Sequence, residues 1–346
     1  MTSRPPPSEL LNWALSALAP GESGLTPALT VVAGDASNRH YFRVTLDGTS
    51  YILVDAPPAT EKNQAFLAVR ELLAGAGVIV PALYAADLAR GYLALGDLGD
   101  RLLLAELTPD SVDAQYRGAM ELLLRVASMD SSALALPPYD NALLREELSR
   151  FPVWFVEALL GQSLCAEELQ MLEACFDSLV ASALEQPQVL VHRDFHSRNL
   201  MPQREGGLGV IDFQDAVVGP VTYDLVSLLR DCYIHWPPAQ VQDWALAYRD
   251  LLLARGLPVA VDTVRFLRWF DLMGLQRHIK VLGTFARLYL RDGKTAYLRD
   301  LPLVVHYVRE IAGKYAAEIP AIAAFEQWFS QRLSPLIARQ DWGAEL

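Results

Sequence analysis

Two short polar segments, each flanked by apolar residues, constrain this sequence more than any other feature. The first reads His-Arg-Asp-Phe-His-Ser-Arg-Asn over residues 192–199, and the second contains Asp212 directly after an apolar run. Asp194, Asn199 five residues later and Asp212 eighteen residues later form the set of groups used in phosphoryl transfer. The apolar flanks predict that these groups lie at strand ends on a rigid scaffold.

Each of the three residues has a defined task in such a set. Asp194 would accept the proton of a substrate hydroxyl, while Asn199 and Asp212 would hold Mg²⁺ on the phosphates of ATP. A single Asp or Asn in a loop is usually a turn former or a helix cap. The complete set, with its spacing and apolar flanks, favours a kinase.

The residues around the set separate it from the protein kinases. Phe195-His196 follows Asp194 where Leu-Lys is typical, Gln214 stands where Asp-Phe-Gly requires glycine, and Ala-Pro-Glu is absent. With Tyr223-Asp224 soon afterwards, the pattern resembles the aminoglycoside phosphotransferase-like superfamily of small-molecule kinases. The resemblance covers most of the chain and implies that Asp194 is the base, Asn199 and Asp212 are magnesium ligands, and Asp224 braces the catalytic loop. Capping of the helix beginning near residue 225 is the alternative role for Asp224.

Three further segments narrow the resemblance. Residues 34–39, 54–58 and 274–283 are similar to one bacterial branch of that superfamily, the anomeric sugar kinases of cell-wall recycling. This resemblance implies phosphorylation of N-acetylmuramate and N-acetylglucosamine at the C1 hydroxyl.

Composition limits the partners. The net charge of −12 and the lack of a long basic tract argue against nucleic acid. The expected partners, a nucleotide and an amino sugar, are those that the resemblance implies. No stretch is apolar enough to span a membrane, and the first helix is amphipathic rather than an export signal. Three cysteines without a close pair fit a reducing cytoplasm.

The chain is predicted to be α+β, with a two-lobed protein-kinase-like fold. Residues 1–98 would form a small β-rich nucleotide-binding lobe, with strands at 28–33, 40–46, 51–55, 78–84 and 92–95 and a helix at 61–74. Residues 99–346 would form a larger, mostly helical lobe carrying the catalytic loop and the acceptor site. Its helices are predicted at 109–130, 141–160, 166–186, 222–233, 238–254, 262–291, 294–314 and 319–333.

The nucleotide would be held largely by backbone groups. Gly34, Ser37 and Asn38 belong to a loop that would cover the phosphates, although a polar hairpin turn is an equal alternative on local evidence. Asp97 lies in the segment 95–98, predicted to be the hinge that reads the adenine edge.

The third strand lacks the lysine that usually holds the phosphates. Arg43 and Lys62 are candidates to replace its charge, and Glu71 is the candidate helix acid; ordinary surface salt bridges are the alternative for all three. The missing lysine also leaves open a nucleotide-binding pseudokinase.

The helix predicted at 262–291 carries a basic stripe, formed by Arg277, Lys280, Arg287 and Arg291. It is either a solvated face or an anion-attracting wall beside the acceptor site, and the second interpretation makes His196, Arg277 and Lys280 candidate substrate residues. Such a wall would suit a carboxylated sugar better than a cationic aminoglycoside. The remaining hypotheses are an anomeric sugar kinase, another small-molecule kinase of the superfamily, and the pseudokinase.

Overall fold

A computed structural model of the protein describes residues 6–20, 27–32, 38–130, 132 and 134–343. The chain divides into two compact units, residues 1–105 with 198–215, and residues 106–197 with 216–346. Strands dominate the first unit and helices the second, so the α+β prediction is confirmed. The predicted boundary at residue 98 differs from this division, which falls at residue 105 and assigns the segment 198–215 to the first unit.

The described strands form one larger antiparallel sheet and two small ones. The larger sheet belongs to the first unit and has the order β1-β2-β3-β5-β4, while β7 pairs with β8 in the first unit and β6 pairs with β9 in the second. The strands are β1 (Thr30–Val31), β2 (His40–Leu46), β3 (Thr49–Asp55), β4 (Leu83–Asp87), β5 (Tyr92–Gly96), β6 (Gln188–Val191), β7 (Leu200–Pro202), β8 (Leu208–Val210) and β9 (Val217–Pro220).

The turn between β2 and β3 follows directly from the sequence. Asp47 and Gly48 both have positive φ, 46° and 75°, as the tight turn of a two-residue hairpin requires. Phe42, Val44 and Leu53 of this hairpin pack with the first helix in a buried apolar cluster. The predicted amphipathic first helix therefore buries its apolar side on the sheet.

The strand predicted at 78–84 was placed too early in the chain, because the observed strand is β4, Leu83–Asp87. The ladder there begins only at Leu83, and Pro81, which has no N–H to donate, precedes it. Upstream of the proline, the Ile79 carbonyl accepts a hydrogen bond from Val210 N at 2.8 Å. This backbone bond links the β7–β8 hairpin to the rest of the first unit.

The helices lie close to their predicted positions. Two π-helical segments, Phe151–Leu159 and Phe329–Leu333, continue helices that the sequence pattern treats as uninterrupted. The helices are α1 (Ser8–Leu18), α2 (Asn63–Gly75), α3 (Val112–Ala127), α4 (Asn141–Arg150), α5 (Ala166–Leu184), α6 (Tyr223–Leu229), α7 (Pro238–Ala254), α8 (Thr263–Asp292), α9 (Tyr297–Tyr315), α10 (Pro320–Trp328) and α11 (Ser334–Ile337). Among the described helices, none combines the length and apolarity needed to cross a membrane.

Helix α8 forms the centre of the second unit. Asp262 caps its start by accepting from Arg265 N at 2.7 Å, and Gly293 ends it with φ 66°. Gly283 lies so close to the backbone of Arg150 that a Cβ at this position would be 2.3 Å from the Arg150 carbonyl carbon, so only glycine fits. Nearly every residue from Phe266 to Gly283 is buried, because α4, α5, α6, α7 and α9 all contact this helix.

Candidate active site

The start of the catalytic loop is fixed by one carboxylate. Asp224, in the first turn of α6, accepts from His192 N at 2.6 Å and from Arg193 N at 3.0 Å. Arg193 has φ 76°, a left-handed conformation that side-chain-bearing residues rarely adopt, so these bonds hold a strained turn next to Asp194. Asp224 therefore contacts the loop, as the resemblance implies. The N-cap position of α6, the alternative role for Asp224, is occupied by Thr222.

The far end of the same loop is fixed by a second carboxylate. Ser197 donates both its backbone N–H, at 2.9 Å, and its hydroxyl to Asp231 Oδ2, and both residues are buried. Between the two ends, Asp194 N donates to His192 Nδ1 at 3.2 Å. The loop carrying Asp194 is therefore held at both ends by buried acids that follow it in sequence.

We expect Asp224→Asn to destabilise the protein. Each carboxyl oxygen of Asp224 accepts one backbone N–H of the loop. An amide offers one acceptor oxygen, so one backbone N–H loses its partner, at a cost of about 1–3 kcal/mol. Denaturant unfolding at neutral pH measures this, with exposed Asp243→Asn as the control. Equal stabilities of the two variants would contradict the bracing role.

A buried acid on α4 binds the side chains around the loop. Glu147 is fully buried, and its carboxylate bonds the Arg193 guanidinium, the Tyr139 hydroxyl and, at 2.9 Å, Lys280 Nζ. Lys280 Nζ also donates to the Tyr223 hydroxyl at 2.9 Å. We call these five residues the Glu147 cluster. It ties α4, α6 and α8 to the residue that precedes Asp194.

Two cations of the cluster, together with two neighbouring residues, lower the pKa of Asp194. Burial alone would raise the pKa of this carboxyl group, but the positive charges of Lys280, His196, Arg277 and Arg193 lower it below the ordinary value. Asp194 is therefore ionised at neutral pH and able to accept a proton. The ring of His196 packs edge-on against Tyr233, with the ring centroids 5.4 Å apart.

Arg277 and Lys280 do not lie on a solvated face. Their exposed fractions are 4% and 9%, and Arg277 Nε donates to Ser227 Oγ at 2.7 Å. The basic periodicity is real, but other helices cover α8 on several sides, so Lys280 pairs with Glu147 and Arg277 bonds the neutral Ser227 hydroxyl inside the second unit. Arg291, near the exposed end of α8, pairs with Asp292 instead. Direct contact of His196, Arg277 or Lys280 with an acceptor stays a prediction.

Asn199 and Asp212, the predicted magnesium ligands, lie beside each other in the first unit. Asn199 Nδ2 donates to Asp212 Oδ2 at 3.4 Å, and Gln214 Nε2 donates to Asp212 Oδ1 at 2.6 Å. Asp212 has φ 64°, a second strained position among the candidate site residues. One carboxylate and one amide oxygen match the hard oxygen ligands that Mg²⁺ prefers.

Two of the predicted nucleotide-binding residues, Gly34 and Ser37, lie outside the described residues. Of the others, Asn38 N donates to Glu61 Oε1 at 3.1 Å. Arg43 donates to both oxygens of Asp97, at 2.6 and 3.0 Å, and also contacts Asp100. Asp97 and Arg43 therefore neutralise each other, and their contacts with a nucleotide stay a prediction.

Among the described residues of the first unit, Arg39 is a buried cation that the sequence pattern did not reveal. Only 1% of Arg39 is exposed, its Nε lies 3.6 Å from Glu61 Oε2, and its guanidinium covers the Phe66 ring at 4.8 Å. Lys62 instead makes an exposed pair with Asp215, and the equally exposed Glu71 pairs with its neighbour Arg70. The acid beside a buried cation is thus Glu61. In the sequence, the only sign of this buried cation was its position directly before β2, whereas the usual lysine lies on β3.

These features define a phosphotransferase with a protein-kinase-like fold. The model of the phosphotransferase enzyme family matches residues 28–259, and the chain belongs to this family. The chain also resembles the solved structure of the aminoglycoside phosphotransferase APH(2'')-Ib in its ADP-bound form. The TM-score is 0.57 at 15% identity, covering 88% of this chain and 98% of that one.

Similarity in sequence is much higher to two curated bacterial proteins. One from Pseudomonas putida is 44% identical over 293 residues, which cover 84% of this chain and 86% of the relative. One from Neisseria meningitidis serogroup B is 41% identical over 302 residues, which cover 85% and 89%. Both relatives are named N-acetylmuramate/N-acetylglucosamine kinase.

Proposed function

We propose that the protein transfers the γ-phosphoryl group of ATP to the anomeric C1 hydroxyl of N-acetylmuramate and N-acetylglucosamine. The observation that carries the proposal is the identity of 44% to a kinase named for these two sugars, in a chain that keeps Asp194, Asn199 and Asp212. We further propose that the reaction takes place in the cytoplasm and serves peptidoglycan recycling, in which such sugars are released.

In this mechanism Asp194 accepts the proton of the C1 hydroxyl as the new oxygen–phosphorus bond forms. A hemiacetal hydroxyl is more acidic than an ordinary alcohol, so a carboxylate with a lowered pKa is an adequate base. Asn199 and Asp212 would hold Mg²⁺, which neutralises charge on the phosphates. Arg39, with Glu61 beside it, is our candidate for the cation that replaces the third-strand lysine.

A panel of acceptors tests the proposal. The protein is incubated with ATP and Mg²⁺ and with each of the two sugars, kanamycin, choline or ethanolamine, and the position of the new phosphate is read by phosphorus NMR. We expect sugar 1-phosphates. Phosphate at C6 would refute the anomeric assignment, turnover of only the cationic acceptors would indicate another small-molecule kinase, and nucleotide binding without turnover would indicate a pseudokinase.

The magnesium assignment gives a separate prediction. Asp212→Ala removes the charged ligand and should abolish turnover, whereas Asn199→Ala should raise the Mg²⁺ concentration required for half-maximal rate. Asp215→Ala, an exposed change three residues from Asp212, is the matched control. The assignment fails if the Mg²⁺ dependence of both site variants equals that of the control.

A further inference from the structure

Two histidines and a glutamate of the second unit, none of them assigned a role above, lie close together. His235 follows α6, while His306 and Glu310 are four residues apart on one face of α9. One potential ligand atom from each residue lies within 4.8 Å of the others. His306 Nε2 and Glu310 Oε2 are 3.9 Å apart, and the rings of His235 and His306 have centroids 5.1 Å apart.

The backbone around His235 is anchored on both sides. The Tyr307 hydroxyl donates to the carbonyl of Ile234 at 3.2 Å, and Trp236 Nε1 donates to the Tyr116 hydroxyl at 3.1 Å. His235 is itself exposed, so its ring can turn while its main chain stays in place. Of the three side chains, the two histidines are exposed and Glu310 is half-buried.

The chemistry of the three groups fits a borderline-soft cation better than magnesium. Imidazole nitrogens suit zinc and its neighbours in the periodic table, whereas Mg²⁺ prefers a shell of oxygens. The rings of His235 and His306 offer imidazole nitrogens, and Glu310 offers a carboxylate oxygen, close enough together to be turned toward one ion. Two histidines and one glutamate form a known set of zinc ligands that leaves a fourth position open.

We propose that His235, His306 and Glu310 form a binding site for a divalent transition-metal ion of the zinc class. The site is separate from the proposed magnesium ligands Asn199 and Asp212 in residue composition and in metal preference. Occupancy would link the segment after α6 to α9. Tyr233, which packs against His196, lies in the same segment. The open position would take water or a small anionic group.

Calorimetric titration of the whole protein with Zn²⁺, in a large excess of Mg²⁺, tests this proposal. The Mg²⁺ occupies oxygen sites, so we expect one zinc equivalent to bind, and His306→Ala and Glu310→Gln each to weaken binding at least tenfold. Even the loss of an outer-shell partner of a metal ligand typically costs about 10–100-fold in affinity. His306 is 52% exposed, so its replacement is expected to leave the fold intact, which circular dichroism checks.

His40→Ala is the matched control, because it removes a histidine of the first unit. The proposal predicts full zinc affinity in this variant and a zinc-dependent rise in Tm that is present in the wild type and in His40→Ala but lost in His306→Ala. It is overturned if no zinc binds in the presence of Mg²⁺. It is equally overturned if His306→Ala and His40→Ala bind zinc alike, since binding would then be a property of scattered surface histidines. The measurement is independent of any sugar kinase activity.

Discussion

Asp194→Asn should lower kcat by about 10²–10⁴-fold, the usual contribution of a general base. The side chain keeps its shape, but an amide has no lone pair basic enough to take the proton of the acceptor hydroxyl. The loop contacts of His192, Arg193 and Ser197 involve Asp224 and Asp231, so they remain in place. The affinity for nucleotide should therefore change little.

Steady-state kinetics with each sugar, together with nucleotide binding by calorimetry, provide the measurement. Asp243→Asn makes the same chemical change on the exposed side of α7 and should match the wild type. Near-normal turnover in Asp194→Asn would remove Asp194 from the role of base. A large loss of nucleotide affinity would instead assign it a part in holding the phosphates.

The spacing of Asp194, Asn199 and Asp212 could be recognised in the sequence because each group must occupy a fixed place in a short segment. The helices were predictable for a related reason: caps such as Asp262 and stops such as Gly293 act locally. Asn199 and Asp212 lie beside each other in the first unit, and their binding of Mg²⁺ stays a prediction. Local sequence patterns were therefore sufficient to predict the fold class and to select the candidate residues.

The supporting residues were not predictable, because their roles arise from tertiary contacts. Glu147 lies in the sequence Arg-Glu-Glu, which is typical of an exposed helix, and only the folded chain brings Arg193 and Lys280 to it. For the same reason, the alternative of a solvated face is wrong at Arg277 and Lys280 of α8, while their contact with the acceptor stays a prediction. Periodicity identifies one face of a helix, but it does not tell what packs on that face, and here it is other helices rather than water.

The Glu147 cluster leads to the largest expected effect on stability. Glu147→Gln keeps the size of the side chain but leaves the buried charges of Arg193 and Lys280 without their carboxylate. Removing one partner of a buried ion pair costs about 3–5 kcal/mol. Glu146→Gln, the neighbouring residue with an exposed pair to Arg150, is the matched control and should cost no more than about 1 kcal/mol.

A double variant separates charge from packing. Lys280→Met removes one of the two stranded cations, so Glu147→Gln combined with Lys280→Met should be more stable than the sum of the single changes predicts. Loss of Lys280 also removes a positive charge that lowers the pKa of Asp194, so the acidic limb of the kcat profile should move to higher pH. Because Lys280 is paired internally, kcat should fall alike for both sugars. A loss confined to N-acetylmuramate would indicate instead that Lys280 contacts the acceptor.

Stability at low pH gives an independent measure of the same carboxylate. Burial would raise the pKa of Glu147, but Lys280, Arg193 and Tyr139 together lower it to about 2, below its ordinary value of 4.5. A depressed carboxyl pKa adds stability that is complete above the unfolded value and is lost as the pH falls through the folded one. The shift corresponds to about 3 kcal/mol. Wild type and Glu146→Gln should lose this amount between those two pH values in denaturant unfolding, whereas Glu147→Gln should lack that part of the pH dependence. Parallel curves for all three proteins would show that Glu147 does not carry the buried charge on which the cluster depends.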